Sequence, residues 1–264
     1  MDIDDASARG WQTRRGRQGE QSAAEMRTLP CPTAYRRGAQ MICAALGAAF
    51  LWPMLASPSA QAQDGLKGID AWSYQLQGNL LELREVESAV AVIDGDHVRR
   101  HARLENLRKT PRGQRRLLLG YLSIGEAEAF RSYWPACCAA TSPSWLTTQT
   151  QGWAENFAVR YWQEEWQQIV TTRLAEIIQA GFDGVYLDRA DVWEVMSPER
   201  PTAREDMIQF VAKLAHRARQ QKPGFAIVMQ NAEELLSSPA LFALLDAVAK
   251  EDLIELAPQF RTVR

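Results

Sequence analysis

An aspartate that ends a short apolar run is the best-placed residue in this chain for chemistry. The run Val185-Tyr186-Leu187 predicts a strand, with Asp183 before it and Asp188 directly after it. At about 3.3 Å per residue the two aspartates lie roughly 17 Å apart, so only Asp188 stands at the carboxyl end. Barrels of the α/β class carry their chemistry at that end, which makes Asp188 a candidate catalytic carboxylate. The alternative is that Asp188 only caps the helix that follows.

Polar residues also follow the other predicted strands. We predict strands at Trp72–Leu76, Ala89–Ile93, Arg116–Ser123, Ala158–Tyr161, Gly184–Leu187 and Ala226–Met229, with a short seventh at Ala247–Ala249. If these strands are parallel, their carboxyl ends meet at one mouth. The residues expected there are Asp94, Glu126, Glu128, Trp162, Asp188, Asp191, Gln230, Asn231 and Glu251. Two carboxylates that face each other across a sugar can hydrolyse a glycosidic bond, one donating a proton and one attacking or activating water.

Amphipathic helices between the strands indicate parallel βαβ units. One helix precedes Asp188 and ends near Gly181, and its apolar face consists of Trp166, Ile169, Val170, Leu174, Ile177 and Ile178. A second helix begins at Thr202, with Glu205 completing a capping box, and ends at Pro223-Gly224. Its apolar stripe consists of Met207, Phe210, Val211, Leu214 and Ala218. The order of elements therefore predicts an α/β fold.

Charge and motifs exclude several other functions. The 264 residues carry a formal net charge of −2, which gives no reason to expect a polyanion as partner. The basic run from Arg99 to Arg116 lacks aromatic residues, so we expect a solvated helix and turn outside the barrel rather than a nucleic-acid site. The segment Tyr121–Gly125 resembles a nucleophile elbow but lacks its first glycine, and no histidine is placed to activate Ser123. No phosphate-binding loop or dinucleotide fingerprint occurs.

The first 63 residues have the pattern of an N-terminal extension with a secretory signal peptide. Arg36-Arg37 precedes an apolar stretch at 41–56, and the small-residue cleavage signal Ala60-Gln61-Ala62 follows. The apolar stretch is short for a bilayer span and contains Pro53, so we expect no stable membrane anchor after cleavage. Translation from Met26 would keep the basic region. We therefore expect a secreted or periplasmic protein.

Cysteine and histidine usage gives no support for a cofactor or a disulfide framework. Cleavage would leave only the neighbours Cys137 and Cys138, which can form at best a strained local bridge. The histidines of the mature part are not spaced to bind a metal together with these cysteines. We expect neither a metal nor a cofactor.

Four segments resemble a known family. They are Gly120–Glu128 with Arg131 and Tyr133-Trp134, Trp153–Trp166, Phe182–Asp191 and Gln230–Glu234. Over about residues 70 to 255, and in the expected order, the chain resembles glycoside hydrolase family 114, the endo-α-1,4-polygalactosaminidases. It is also similar to the related secreted TIM-barrel proteins once labelled cysteinyl-tRNA-synthetase-like. That label would imply ATP or RNA binding, which the export signal and the missing nucleotide motifs disfavour.

The resemblance implies a (β/α)₈ TIM-barrel domain over residues 64–264 that degrades α-1,4-linked galactosamine polysaccharide. It implies that Asp188 is catalytic, as the nucleophile, and that Glu251 is its acid/base partner. The substrate-binding residues would be Asp94, Tyr121, Glu126, Glu128, Trp162, Asp191, Gln230 and Asn231. A carboxylate-rich mouth suits a cationic amino-sugar polymer. Each lining residue could instead be a helix cap or a buried partner of Arg131 or Arg160.

The resemblance also raises an expectation about the end of the chain. The family continues past the Glu251 region with further strands, whereas this sequence stops at Arg264. We therefore expect a barrel that is incomplete at its C-terminus and open at one edge. The alternative function is a catalytically weak or inactive carbohydrate-binding relic of the same fold.

Overall fold

Ten strands form two sheets in the part of the chain that the structure describes. This computed structural model describes residues 26–28, 66, 69, 71–101, 103–138 and 141–250. The strands are β1 (Met26–Thr28), β2 (Trp72–Gln75), β3 (Val90–Ile93), β4 (Leu117–Ser123), β5 (Glu126–Glu128), β6 (Leu146–Gln149), β7 (Asn156–Val159), β8 (Gly184–Asp188), β9 (Ala226–Gln230) and β10 (Ala247–Ala249). The larger sheet has the order β1-β10-β9-β8-β4-β3-β2, and the smaller one the order β5-β7-β6.

The larger sheet is a curled, open barrel wall. Strands β2, β3, β4, β8, β9 and β10 are parallel and neighbour one another in chain order, while β1 is antiparallel to β10. Two strands separate β2 from β8, so a flat sheet would hold them about 14 Å apart. The rings of Tyr74 on β2 and Tyr186 on β8 nevertheless have centroids 5.5 Å apart, because the sheet curls. The predicted TIM-barrel type, incomplete in the described residues, is confirmed.

Helices cover one face of this sheet. They are α1 (Gly95–His101), α2 (Trp134–Cys137), α3 (Glu164–Gln179), α4 (Val192–Met196), α5 (Ala203–Gln221) and α6 (Pro239–Phe242), with 3₁₀ turns at Leu80–Glu85, Leu104–Leu107 and Glu233–Ser237. Both long helices occur where the periodicity predicts them. Gly181, one residue after the cap of α3, has a left-handed φ of 96°, which suits a glycine that ends a helix. No described helix is both long and apolar enough to cross a bilayer.

The predicted capping box of α5 is wrong. Thr202 is the N-cap residue, but its side chain makes no capping hydrogen bond. The Thr202 hydroxyl donates instead to the carboxylate of Asp206 at 2.8 Å. Asp206 also accepts from Arg200 at 2.7 Å, so the first turn of α5 is fixed by side chains that the box pattern does not include. The predicted apolar stripe of this helix is buried throughout.

Side-chain alternation gives the sheet two apolar faces. The inner face, toward the barrel axis, carries Val92, Tyr121, Tyr186, Val228 and Ala249 in one buried cluster. The residues between them pack against the helices in a second cluster. The same alternation puts the last residues of β8 and β9, Asp188 and Gln230, on the inner face, and both carry polar side chains.

The predicted barrel strand Ala158–Tyr161 is wrong. The strand in this region is β7, which pairs antiparallel with β5 and β6 in the smaller sheet. That sheet lies in the connection between β4 and β8, and α3 completes the connection. A short apolar run predicts a strand but does not specify its partner, and the sequence therefore placed β7 in the wrong sheet.

Most of the basic run before β4 is the solvated helix and turn that the sequence predicts, but two of its arginines are withdrawn from the surface. Arg116 is fully buried, and its guanidinium donates to the carbonyl oxygens of Ser88 at 2.9 Å and Leu107 at 3.0 Å. Arg108 and Arg115 each form an ion pair with Asp183 at 2.7 Å. The prediction therefore holds for the exposed residues Arg99, Arg103, Lys109 and Arg112 and is wrong for Arg116. Arg108, Arg115 and Arg116 fix the amino ends of β4 and β8, opposite the end that carries Asp188.

Two other predictions fall largely outside this architecture. The proposed leader lies outside the described residues except for β1, and its cleavage remains a prediction. Cys137 and Cys138 form a disulfide with each other. Because a bridge between adjacent residues closes almost no loop, it adds little to the stability of the fold.

Candidate active site

Asp188 lies at the carboxyl end of β8, as predicted, and two donors hold its carboxylate. The hydroxyl of Tyr121 donates to Oδ2 at 2.6 Å, and the backbone N–H of Arg189 donates to Oδ1 at 2.8 Å. The side chain is partly buried on the inner face. Asp188 does not cap the next helix, because the N-cap residue of α4 is Asp191. A carboxylate held by both oxygens has a fixed orientation, which suits a reacting group.

Burial raises the pKa of Asp188, and this effect exceeds the opposing hydrogen bonds from Tyr121 and Arg189. The guanidinium of Arg189 also lowers the pKa, whereas the charge of Asp191 raises it. Burial, with the negative charge of Asp188, raises the pKa of Tyr121 well above its ordinary value. Tyr121 therefore keeps its proton at neutral pH and remains a donor to Asp188.

The backbone is strained where β8 and β9 end. Among the described residues other than glycine, those with a left-handed φ are Arg189 (62°), Asn231 (54°) and Ala232 (56°). Each such conformation costs on the order of 1–3 kcal/mol, and strain of this kind concentrates at functional sites. It marks the mouth at the end of β8 and β9 as the place where the fold tolerates unfavourable geometry.

Two of the predicted site carboxylates share one arginine as their ion-pair partner. Arg131 is buried, and its Nε contacts Glu128 Oε2 at 2.7 Å while its Nη1 pairs with Asp94. Asp94 Oδ1 also caps α1, accepting from the N–H groups of Asp96 at 2.7 Å and His97 at 3.1 Å. Asp94 is therefore both a helix cap and a buried partner of Arg131, and Glu128 is a buried partner of Arg131. Both roles are the alternative that the sequence left open.

Glu126 is occupied by neighbours of the smaller sheet. Its carboxylate accepts from Thr150 at 2.7 Å and Asn156 at 3.1 Å, and it lies 3.2 Å from the guanidinium of Arg189. The same guanidinium lies 3.4 Å from Asp191, whose side chain is 35% exposed. Glu126 therefore ties the inserted sheet to the residue whose N–H holds Asp188, while Asp191 retains access to solvent.

Trp162 does not follow a strand of the larger sheet, and its role in substrate binding stays a prediction. It packs against the cluster on the helix side, and the guanidinium of Arg200 lies 5.2 Å from its ring centroid. The prediction that Trp162 follows a barrel strand is wrong because β7 belongs to the other sheet.

Gln230 is brought beside Asp188. Leu187 pairs with Met229, so the next residues of the two strands, Asp188 and Gln230, are neighbours on the inner face. The N–H of Asn231 donates to the carbonyl of Ala249 at 2.8 Å. Glu251, the predicted second catalytic carboxylate, lies outside the described residues.

Sequence reasoning missed several residues at this mouth. Arg189 supplies a backbone donor to Asp188, and no side-chain motif indicates that role. Below the mouth on the inner face, Trp72 at the start of β2 stacks on Tyr186 with ring centroids 6.0 Å apart, and the ring of Tyr74, 41% exposed, lies 6.4 Å from that of Tyr121. The alternation Trp72-Ser73-Tyr74 could have identified these rings as inner-face residues. The described residues contain no group of three or more His, Cys, Asp or Glu side chains that could hold a metal.

Comparisons with known proteins agree with this architecture. The sequence profile of the glycoside-hydrolase family GH114 matches residues 55–260. An uncharacterized protein of Deinococcus radiodurans is 42% identical over 139 residues, covering 53% of this chain and 45% of that protein. The uncharacterized protein MJ1477 of Methanocaldococcus jannaschii is 35% identical over 197 residues, covering 69% of this chain and 56% of that protein. The chain thus spans about half the length of these curated relatives.

A solved structure shares the fold. A variant of the glycoside hydrolase domain of PelA from Pseudomonas aeruginosa superimposes with a TM-score of 0.50 at 22% identity. The match covers 69% of this chain and 66% of that one.

Proposed function

Because the chain belongs to the glycoside-hydrolase family GH114, we propose that it hydrolyses α-1,4-linked galactosamine polysaccharide with a pair of carboxylates. The observation that carries this proposal is the carboxylate of Asp188, held at the barrel mouth by Tyr121 and by the N–H of Arg189. Both donors are neutral, so they orient the carboxylate and favour its ionised form without an ion pair to a cation.

In the proposed reaction Asp188 is the nucleophile and Glu251 the general acid and base. Asp188 forms a bond to the anomeric carbon while the glycosidic C–O bond breaks, and Glu251 protonates the leaving oxygen. Water then attacks the anomeric carbon, giving its proton to Glu251 and releasing Asp188. The assignment of Glu251 rests on the family resemblance. It is supported by the position of Ala249, two residues earlier, on the inner face beside Gln230.

The proposed substrate is a cationic amino-sugar polymer. The acidic residues at the mouth outnumber the arginines: Arg131 is shared by Asp94 and Glu128, and Arg189 by Glu126 and Asp191, so a net negative field remains. The ring of Tyr74 offers a flat apolar surface below these residues, of the kind on which sugar faces stack.

We also propose that the protein is exported by the leader within its first 63 residues. Cleavage after Ala62 would remove β1 and leave the edge of β10 without that partner. Mass spectrometry of the exported protein should therefore give an N-terminus after Ala62. An exported protein that retains Met26–Thr28 would contradict this proposal.

The test of function is release of reducing ends from α-1,4-galactosamine polymer by the full chain. Asp188→Asn keeps the size of the side chain but removes the attacking charge, so release should fall by at least about a thousandfold. Glu165→Gln, at an exposed position on α3, is the matched control and should retain wild-type release.

Circular dichroism of each variant separates loss of chemistry from loss of fold. Release that Asp188→Asn leaves intact would refute the assignment of the nucleophile. A folded wild type that binds the polymer without cleaving it would favour the carbohydrate-binding alternative.

A further inference from the structure

Gln230 presents a buried hydrogen-bond acceptor that no described residue satisfies. Its side chain is 4% exposed, and Oε1 has no hydrogen-bond partner in the described part of the chain. Buried polar atoms are nearly always paired, because an unpaired one loses its hydration without replacement. An unpaired amide oxygen at the mouth of a barrel is therefore a vacant binding position for a donor.

The vacant acceptor lies next to the proposed nucleophile. Gln230 ends β9 on the same face as Ala226 and Val228, and the pairing of β8 with β9 places it beside Asp188. Adjacent strands are about 4.8 Å apart, which is the scale of a single sugar ring. On its other side Gln230 pairs with Ala249, whose small apolar side chain offers no hydrogen bond to the amide.

The backbone after Gln230 supports a fixed position for this amide. Asn231 and Ala232 both adopt left-handed conformations, and the N–H of Asn231 is bonded to Ala249. Strain that is retained directly after the residue is consistent with selection for where its side chain points.

We propose that Gln230 Oε1 accepts a hydrogen bond from the substituent on C2 of the sugar whose C1 lies at Asp188. C2 is bonded to C1, so its substituent is the group that a neighbour of the nucleophile would meet. In galactosamine this substituent is an ammonium group, which is a strong donor to an amide oxygen. The inference rests on the proposed function, because it requires a sugar positioned with C1 at Asp188.

The first test uses Gln230→Met in the full chain, because methionine has a similar volume but lacks the amide acceptor. The Michaelis constant for the galactosamine oligomer should rise about tenfold, the equivalent of one hydrogen bond. The melting temperature without ligand should stay unchanged or rise by about 2–4 °C, because an unpaired buried acceptor has been removed. Gln179→Met, at the exposed end of α3, is the matched control and should change neither quantity.

The second test identifies the sugar atom. Inhibition by free galactosamine is compared with inhibition by 2-deoxygalactose, which has no donor on C2. Gln230→Met should raise the inhibition constant of galactosamine about tenfold and change that of 2-deoxygalactose by no more than about twofold.

The outcomes distinguish this inference from the proposed function. A lower melting temperature of Gln230→Met would show that the amide is a structural group and overturn the inference. Equal losses for the two sugars, or no loss for either, would also overturn it while hydrolysis stands. A wild type that neither cleaves nor binds galactosamine oligomers would contradict both the proposed function and the inference.

Discussion

Removal of the Tyr121 hydroxyl should change the pH dependence of hydrolysis. Tyr121→Phe deletes the 2.6 Å hydrogen bond to Asp188 Oδ2 and leaves the ring to pack against Tyr74. Burial raises the pKa of Asp188, and the bond from Tyr121 lowers it. The variant therefore raises that pKa further. Because the attacking form is the carboxylate, activity appears only above this pKa, and the acid limb of the profile should move to higher pH.

The size of the movement follows from the bond that is lost. A hydrogen bond to a charged group contributes about 1.5–3 kcal/mol, and each pH unit corresponds to about 1.36 kcal/mol. Asp188 is partly exposed, so water can replace some of the bond, and the lower end of this range applies. We expect the acid limb of kcat/KM to move up by about one pH unit.

The assay is kcat/KM for the galactosamine oligomer across the pH range in which the protein stays folded. Tyr161→Phe is the matched control, since it removes a buried hydroxyl that donates to the carbonyl of Ala203 at 2.5 Å, away from Asp188. The control should lose some stability but keep the wild-type acid limb. An acid limb that Tyr121→Phe leaves in place, or that both variants move equally, would refute the reasoning.

The same linkage gives the sign of the stability change. The folded state holds the proton of Asp188 more tightly than the unfolded chain does, since its folded pKa is raised. This contribution to stability is complete below the unfolded pKa and is lost as pH rises through the folded one. Tyr121→Phe raises the folded pKa further, so its melting temperature relative to wild type should fall more at neutral than at acid pH.

Two further predictions concern the supports of the site. Arg131→Met should lower the free energy of unfolding by about 3–5 kcal/mol, because it leaves two buried carboxylates uncompensated, whereas Arg115→Met, at a side chain that is 68% exposed, should cost less than about 1 kcal/mol. Urea unfolding measures both, and equal losses would contradict the role given to Arg131. Gly125→Ala should reduce kcat strongly, because its new Cβ would lie 2.1 Å from the carbonyl oxygen of Arg189, whose N–H holds Asp188. Gly152→Ala meets no atom nearby but strains a backbone with a left-handed φ of 84°, so it should cost some stability and retain kcat. A Gly125→Ala enzyme with wild-type kcat would show that the position of Arg189 is unimportant.

The long elements were predictable from the sequence because their patterns are local. The 16-residue helix α3 and the 19-residue helix α5 each repeat an apolar face over several turns, so their bounds were found closely. The six parallel strands were likewise marked by apolar runs between helices. The four-residue strand β7 was assigned to the wrong sheet, because its pairing with β5 and β6 is decided by contacts between separate segments. The predicted position of Trp162, directly after a barrel strand, is wrong for the same reason.

The roles of the site carboxylates were less predictable than their positions. Asp94 was expected at the mouth, but its partner Arg131 is 37 residues away in sequence. No local pattern tells whether such an arginine reaches the carboxylate or solvent. Similarly, the hydrogen bond from Tyr121 to Asp188 joins residues 67 positions apart and depends on the pairing of β4 with β8. The sequence could therefore propose carboxylates for the mouth, with Asp188 first, but could not tell which of them are held in ion pairs.

The partners of the acidic residues supply that ranking. Asp94 and Glu128 are paired with Arg131, and Glu126 lies against the guanidinium of Arg189. A carboxylate paired with a guanidinium is a weaker nucleophile toward a sugar, because it would have to give up that ion pair as it attacks. Asp188 is held by neutral donors instead, a hydroxyl and a backbone N–H, which orient the group without neutralising it. The contrast is independent of the family resemblance, and it favours Asp188 over the other described acids as the nucleophile.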